Sequence, residues 1–252
     1  MHITRSQFKR IRHLLPKPRG SKLISHYRFL NALAYMASNG CKWRALPRRF
    51  GPWHTVYMRL YRWAHSGVLA EVLNHLQQQA LSQWAVQALS LDSTIVKVHP
   101  DGCGAPEKNG PQAIGKSRGG WSCKIHVVAA SCKDALIWSL TPGQAGDSPE
   151  GRKLVEAIDA QDLAVYLLMD SAYDSDDLRA AAEDRNLIPV VPAHPRRKNP
   201  RPLDKQKYRQ RNEVERLFRR IKAYRRVFTR YDKLDAMYAA FVSMALIFEL
   251  LR

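Results

Sequence analysis

Four residues in one predicted helix carry the densest chemistry of this chain: Tyr208, Arg211, Glu215 and Lys222, in the pattern Y-x2-R-x3-E-x6-K. A helix advances roughly 100° per residue, so relative to Tyr208 they fall at about 0°, −60°, −20° and −40°. One carboxylate is thereby ringed by a phenol and two cations on a narrow face. Glu213 points to the far side, while Val214, Leu217 and Ile221 form a separate apolar stripe able to meet a core. A lone acid inside a basic face suits a site that holds a metal and grips phosphates.

Two more acids sit where acids are uncommon. Asp92 lies in Leu91-Asp92-Ser93-Thr94, inside an otherwise apolar stretch, and Asp170 closes the apolar run Leu163 to Met169. Asp is disfavoured within strands and costly to bury. Each alone reads as a cap or turn acid. With Glu215 they make three carboxylates, able to hold two hard divalent cations through oxygen. Two such ions suit phosphodiester chemistry, one activating the attacking water or hydroxyl and one stabilising the leaving oxygen. Asp174 is the nearest rival to Asp170 and reads better as a helix cap. Glu213 is the rival to Glu215, disfavoured by its face.

These residues need elements to position them. The chain has 252 residues, enough for one large domain or two modest ones. Residues 1–80 read as helical and basic, and residues 86–252 as an α/β domain with an early strand meander. In the first part, Tyr27, Leu30, Leu33, Ala34 and Ala37 outline an amphipathic helix that Asn39-Gly40 ends. A second helix starts near Trp53, with Val56, Tyr57, Leu60 and Trp63 inward and Arg59 and Arg62 outward. Helix, turn, helix with exposed cations is a DNA-reading arrangement. From residue 86 the texture changes to strands at Ala88–Val98, Lys124–Ala130, Ala135–Leu140, Leu163–Met169 and Ile188–Val191. Helices are expected at Pro149–Ala160, after Asp174 or Ser175, and at 208–226. The stretch Pro192–Asp204 reads as a mobile loop. The last apolar segment, Ala236–Leu251, reads as a core helix, being short for a membrane span and carrying Glu249.

The formal charge is +19, and its distribution says more than its size. No Asp or Glu precedes Glu71, while fourteen Lys or Arg lie between Arg5 and Arg62. A second basic block, Arg196–Arg230, holds only Asp204, Glu213 and Glu215 as acids. Two such fields attract polyanions, of which nucleic acid is the usual one. The four cysteines fit no zinc-finger spacing, and the polar N-terminus has no secretory pattern, so a reduced cytoplasmic protein is expected.

Taken in order, these pieces resemble an insertion-sequence DDE transposase. They are Asp92, Asp170-x2-Tyr173-Asp174-Ser175 and the Tyr208–Lys222 pattern. The family resembled is the insertion-sequence-five family, within the wider insertion-sequence-four-like superfamily. Further segments match its texture: Gly115-Lys116-Ser117-Arg118-Gly119-Gly120, Lys124-Ile125-His126 and Thr141-Pro142-Gly143-Gln144 with Asp147. So do Trp43, Leu46-Pro47, Phe50-Gly51, Trp63 and Gly67 in the leading helical part.

The resemblance implies a ribonuclease-H-like domain, a mixed sheet with flanking helices, behind a basic helix-turn-helix-like domain. It implies Asp92, Asp170 and Glu215 as the catalytic metal-binding triad, with Mg²⁺ as cofactor and Mn²⁺ as a substitute. Tyr208, Arg211 and Lys222 are then assigned to DNA-backbone contact and support of the site. Lys116, Arg118 and Lys124, with Arg59 and Arg62, are further expected DNA contacts. Double-stranded DNA is the expected partner, as element terminal inverted repeats and as target. A homodimer or larger assembly on DNA, associated with the nucleoid and not with a membrane, follows. The rival readings are a metal-dependent nuclease and a host-adopted or inactive DNA-binding protein on the same fold.

Overall fold

A computed structural model describes residues 2–17, 24–81, 86–158 and 165–252. Four helices come first: α1 (Arg5–Ile11), α2 (His26–Asn39), α3 (Trp53–His65) and α4 (Val68–Leu81). Strands β1 (Ala88–Val98), β2 (Gly115–Ser117), β3 (Gly120–Ala129) and β4 (Ala135–Pro142) follow. Next come α5 (Asp147–Glu156), β5 (Val165–Met169), α6 (Asp176–Glu183) and β6 (Leu187–Val190). The chain then runs through α7 (Lys205–Tyr208), α8 (Asn212–Lys222), α9 (Arg225–Phe228) and α10 (Asp235–Leu250). No helix among the described residues is long and apolar enough to cross a membrane. The expected first residues of the fifth strand, 163–164, and last residues of the preceding helix, 159–160, lie outside the described residues.

The chain forms two compact units, and they cross the division expected near residue 80. One holds residues 1–80, 98–112 and 221–252; the other holds 81–97 and 113–220. The physical reason lies in α10. From Met237 to Glu249 it is buried at all but one position, Ala239, so it has no solvent face and must be enclosed. α2 and α3 enclose it within the first unit. Of their expected inward residues Leu33, Val56 and Leu60 are fully buried, while Tyr27 and Tyr57 are only half-buried; Phe29, which was not foreseen, is fully buried as well. α2 starts on the Ser25 side chain, which accepts from the Arg28 amide, and ends on Gly40 at φ 64°.

Charges inside this unit are paired, as burial requires. Arg226 lies between the rings of Trp43 and Phe241 and donates to Asp232 at 2.9 Å and to the Cys41 carbonyl at 2.8 Å. Glu249, fully buried in the most apolar helix, accepts from the Tyr224 hydroxyl at 2.8 Å and from Arg252 at 2.7 Å.

The second unit is built on a mixed sheet in the order β4-β3-β1-β5-β6, with β2 also paired to β3. β1, β3 and β4 are antiparallel neighbours, while β5 and β6 run parallel to β1. A three-stranded meander extended by two parallel crossover strands is the ribonuclease-H-like arrangement. One sheet face packs on α5 and α6 through Leu89, Leu91, Leu167, Met169, Leu154, Val155 and Leu178. The helix expected over 208–226 is instead broken into α7, a 3₁₀ turn at Arg209–Arg211, α8 and α9. The stretch 192–204 has no helix or strand, yet Arg197 ties it to Asp174 and Asp176, and Arg201 ties it to Glu183 at 3.2 Å.

A candidate carboxylate active site

Strand register explains how the first two acids meet. β1 and β5 are parallel, with Leu91 paired to Met169. One residue further along each strand lie Asp92 and Asp170, on the same face of neighbouring strands and opposite the α5–α6 core. Asp92 is only 16% exposed at its side chain. Burial pushes its carboxyl up to about 6, against the Ser93 amide and the Arg211 guanidinium, which favour the anion; Asp170 nearby raises it further. Asp170 itself caps the turn Ser171–Tyr173, accepting from the Ala172 amide at 2.9 Å.

The third acid arrives on α8. Arg211 donates to Asp92 Oδ2 at 2.9 Å and also to Glu215 Oε1, one helical turn along. A single guanidinium thus joins carboxylates 123 positions apart (215 minus 92). Tyr208 stands by the same group, its ring centroid 5.8 Å from Arg211 Cζ, and feels the charges of Asp170 and Asp92. Tyr208, Arg211 and Glu215 therefore share the face that the spacing indicated, although a 3₁₀ turn interrupts the helix. Lys222 ends α8, where burial lowers its pKa.

The rival acids are committed elsewhere. Asp174 has a fully buried side chain. Burial opposes its ionisation, but the His194 amide, Arg179 and Arg197 outweigh it and hold the carboxyl below its usual range. Ser175, not Asp174, caps α6. Glu213 points away from the site, accepting the Cys132 amide at 3.0 Å and pairing with Arg216. Tyr173 of the Asp170-x2-Tyr173 motif is 1% exposed and belongs to the core under α5 and α6.

The expected DNA contacts divide by exposure. Lys116, Arg118 and Arg62 are exposed. Arg59 is half-buried, stacked on Phe29 and donating to the Ile24 carbonyl at 2.9 Å. Lys124 is turned inward: it is 9% exposed and donates to Asp147 Oδ1 at 2.8 Å and to the Ala145 carbonyl at 2.7 Å. A buried ammonium so engaged is not presented to a phosphate, and its role is structural.

That role was not foreseen, since Asp147 had stood out only as part of the family texture. Asp147, the first residue of α5, also accepts from Ser93 Oγ at 2.8 Å. Ser93 follows Asp92 and faces the other way, so the Ser93–Asp147–Lys124 group pins β1 from behind while Asp92 faces α8. His126, fully buried, donates or accepts at Thr141 Oγ1 at 2.8 Å, and burial lowers its pKa against the pull of Asp147. Asp147→Ala is expected to cost about 3 kcal/mol of stability, because it strands the Lys124 charge. Adding Lys124→Met should restore most of that. Denaturant unfolding of the two single variants and the double variant checks this coupling, and strictly additive losses would refute it.

The donor chemistry fits a hard divalent cation: three carboxylates, one of them buried and already drawing a positive group to itself. Among the described residues no set of three His, Cys, Asp or Glu converges as a ready chelate. Arg211 supplies the positive charge between Asp92 and Glu215.

A mixed ribonuclease-H-like sheet with acids on β1, just after β5 and on α8 has the layout of the DDE enzymes. Residues 86–250 match the family model "Transposase DDE domain", and residues 3–73 match "Putative transposase of IS4/5 family". The chain belongs to the DDE transposase family, as an insertion-sequence-four/five-type member. An uncharacterised protein of Sinorhizobium fredii, y4sN, is 39% identical over 107 residues, 41% of this chain and 82% of that protein. A putative transposase for insertion sequence element IS6501 of Brucella ovis is 29% identical over 123 residues, 48% of this chain and 92% of that protein. Among solved structures, the Mos1 transposase paired-end complex with left transposon end is 14% identical, with a TM-score of 0.29. It covers 72% of this chain, which spans 64% of the Mos1 chain. The Mos1 strand transfer complex gives the same values. The family assignment rests on the sequence matches, not on these loose superpositions.

Proposed function

We propose that this chain cuts DNA at the ends of an insertion sequence and joins the freed 3′-hydroxyls to target DNA, with Asp92, Asp170 and Glu215 as its catalytic metal ligands. The observation that supports this reading is the link that Arg211 makes from Asp92 on β1 to Glu215 on α8, with Asp170 just past the strand paired to β1. Divalent cations, Mg²⁺ with Mn²⁺ as substitute, would supply activation of the attacking oxygen and charge stabilisation at the leaving one. Asp92, buried, fixes one edge of the site. Glu215, half exposed, offers a ligand from the open side. Arg211 and Tyr208 hold a backbone phosphate against the acids, Lys116 and Arg118 add to the grip on the same unit, and Lys222, Arg62 and Arg59 contact DNA on the other unit. No nucleotide energy source is needed, since each step hydrolyses or exchanges a phosphodiester.

The basic first eighty residues, supported by the helices that complete their unit, recognise the element's terminal inverted repeats. Two ends must be joined together, so the working form is a homodimer or larger on DNA, at the nucleoid. A strand-transfer assay tests this. Labelled element-end DNA and a supercoiled plasmid are incubated with the protein, with and without Mg²⁺, beside Glu215→Ala. Mg²⁺-dependent joined product that vanishes in the variant is expected. Cleavage without joining would replace this reading with a nuclease, and binding with neither would replace it with an adopted DNA-binding protein.

A further inference from the structure

The hairpin formed by β2 and β3 carries an aromatic ring for which the fold has no use. Trp43, Trp53, Trp63 and Trp138 are buried or half-buried, but Trp121 is 54% exposed. Lys116 stands directly opposite Trp121 across the hairpin, and Arg118 occupies the turn; both are exposed. Asp92 pairs with Val127 on β3, and Trp121 lies an even number of residues from Val127. Trp121 and Lys116 are therefore on the same face of the sheet as Asp92.

The hairpin is stiff. Ser117 Oγ donates to the Gly120 carbonyl at 3.1 Å, and Ser122 Oγ donates to Ser117 Oγ at 2.8 Å. Gly120 closes the turn at φ 95°, a conformation that side chains resist. Behind it, Gly143 lies so near Ser122 that a Cβ there would stand 2.0 Å from Ser122 Oγ. The indole and its cations are thus held out on a fixed scaffold, which lowers the entropic cost of binding.

A bare indole flanked by two cations matches one chemical group well: a nucleobase between two backbone phosphates. Bases inside a duplex present only their edges, so the ring can take a base only where it is unpaired. We propose that residues 115–121 form a stacking platform for an unpaired nucleotide of the DNA, Trp121 taking the base and Lys116 and Arg118 the adjoining phosphates. This rests on the DNA-cutting reading above, because cut ends are where unpaired nucleotides arise.

The test uses the full chain and two probes: a blunt duplex, and the same duplex with a one-nucleotide overhang of 2-aminopurine. The wild-type protein should prefer the overhang and quench its fluorescence. Trp121→Ala should reduce that preference about tenfold, the usual worth of a stacked base, and abolish the quench. Trp121→Phe should keep most of both, which also controls for folding. Equal preference and quench in Trp121→Ala would overturn the platform, even if the same preparation cuts and joins DNA normally. A wild-type chain that cuts and joins DNA yet shows no overhang preference would overturn it as well. Failure of the wild type to bind either probe would overturn the DNA-cutting reading and the platform with it.

Discussion

Asp92→Asn should leave a protein that is more stable than the parent and unable to cut DNA. Both halves come from the same carboxyl. Its folded pKa of about 6 lies above the ordinary value of 3.8, so the fold prefers the protonated form. The ionised form therefore costs stability, nothing below about pH 4 and the full amount above about pH 6. Asparagine keeps the shape and removes that cost. The loss of the Arg211 ion pair offsets part of the gain, leaving about 1–2 kcal/mol at pH 8. Melting curves in chelator should show the variant above wild type at pH 8 and level with it at pH 4. Cleavage should fall about a thousandfold or more, as loss of the proposed metal ligand would imply, with end binding within about threefold of wild type. A variant that melts lower at pH 8, or still cuts, would refute this account of Asp92.

Arg211→Ala should separate metal affinity from turnover. In the structure Arg211 spans Asp92 and Glu215, and in the proposed mechanism it turns to a DNA phosphate. Its removal frees two carboxylates of a competing cation, so the Mg²⁺ concentration giving half-maximal cleavage should fall. The same removal takes a positioned charge from the transition state, so the maximal rate should drop about a hundredfold. Arg211→Lys should recover part of the rate only, since an ammonium cannot serve both carboxylates in a planar fork. A rise in the Mg²⁺ requirement would show that Arg211 helps to build the metal site and does not compete for it. An unchanged maximal rate would remove it from the chemistry.

The acids of the candidate site stood out in the chain because acids in apolar surroundings are conspicuous. Asp92 and Asp170 stand out against Leu89, Leu91, Leu167 and Met169, and the helical spacing set Glu215 beside Arg211 and Tyr208. The three strands that carry or neighbour these residues were likewise visible as apolar runs. Lys124 was misjudged for a related reason. β3 is buried on both faces from Ser122 to Ala129, so it has no inside-outside alternation to reveal which way a lysine turns. The link from Arg211 to Asp92 is a tertiary contact between residues far apart in the chain, which local spacing does not encode. The same holds for the 3₁₀ turn that splits the helical motif. The membership of the two units was also hidden: an all-apolar helix announces that it will be enclosed, but not by whom.

That last feature sets an order of events during synthesis. The helices of residues 1–80 leave the ribosome ahead of the sheet, yet the helix they wrap is translated only after the strands β1–β6. Until then their apolar faces have no native cover, and the sheet unit, contiguous but for its lead-in strand, can form ahead of them. A message cut short between residues 216 and 221 would yield chains with a complete set of acids but no finished unit for the basic helices. Such fragments would compete poorly for the element ends in the proposed reaction, so interrupted translation would waste protein without poisoning it.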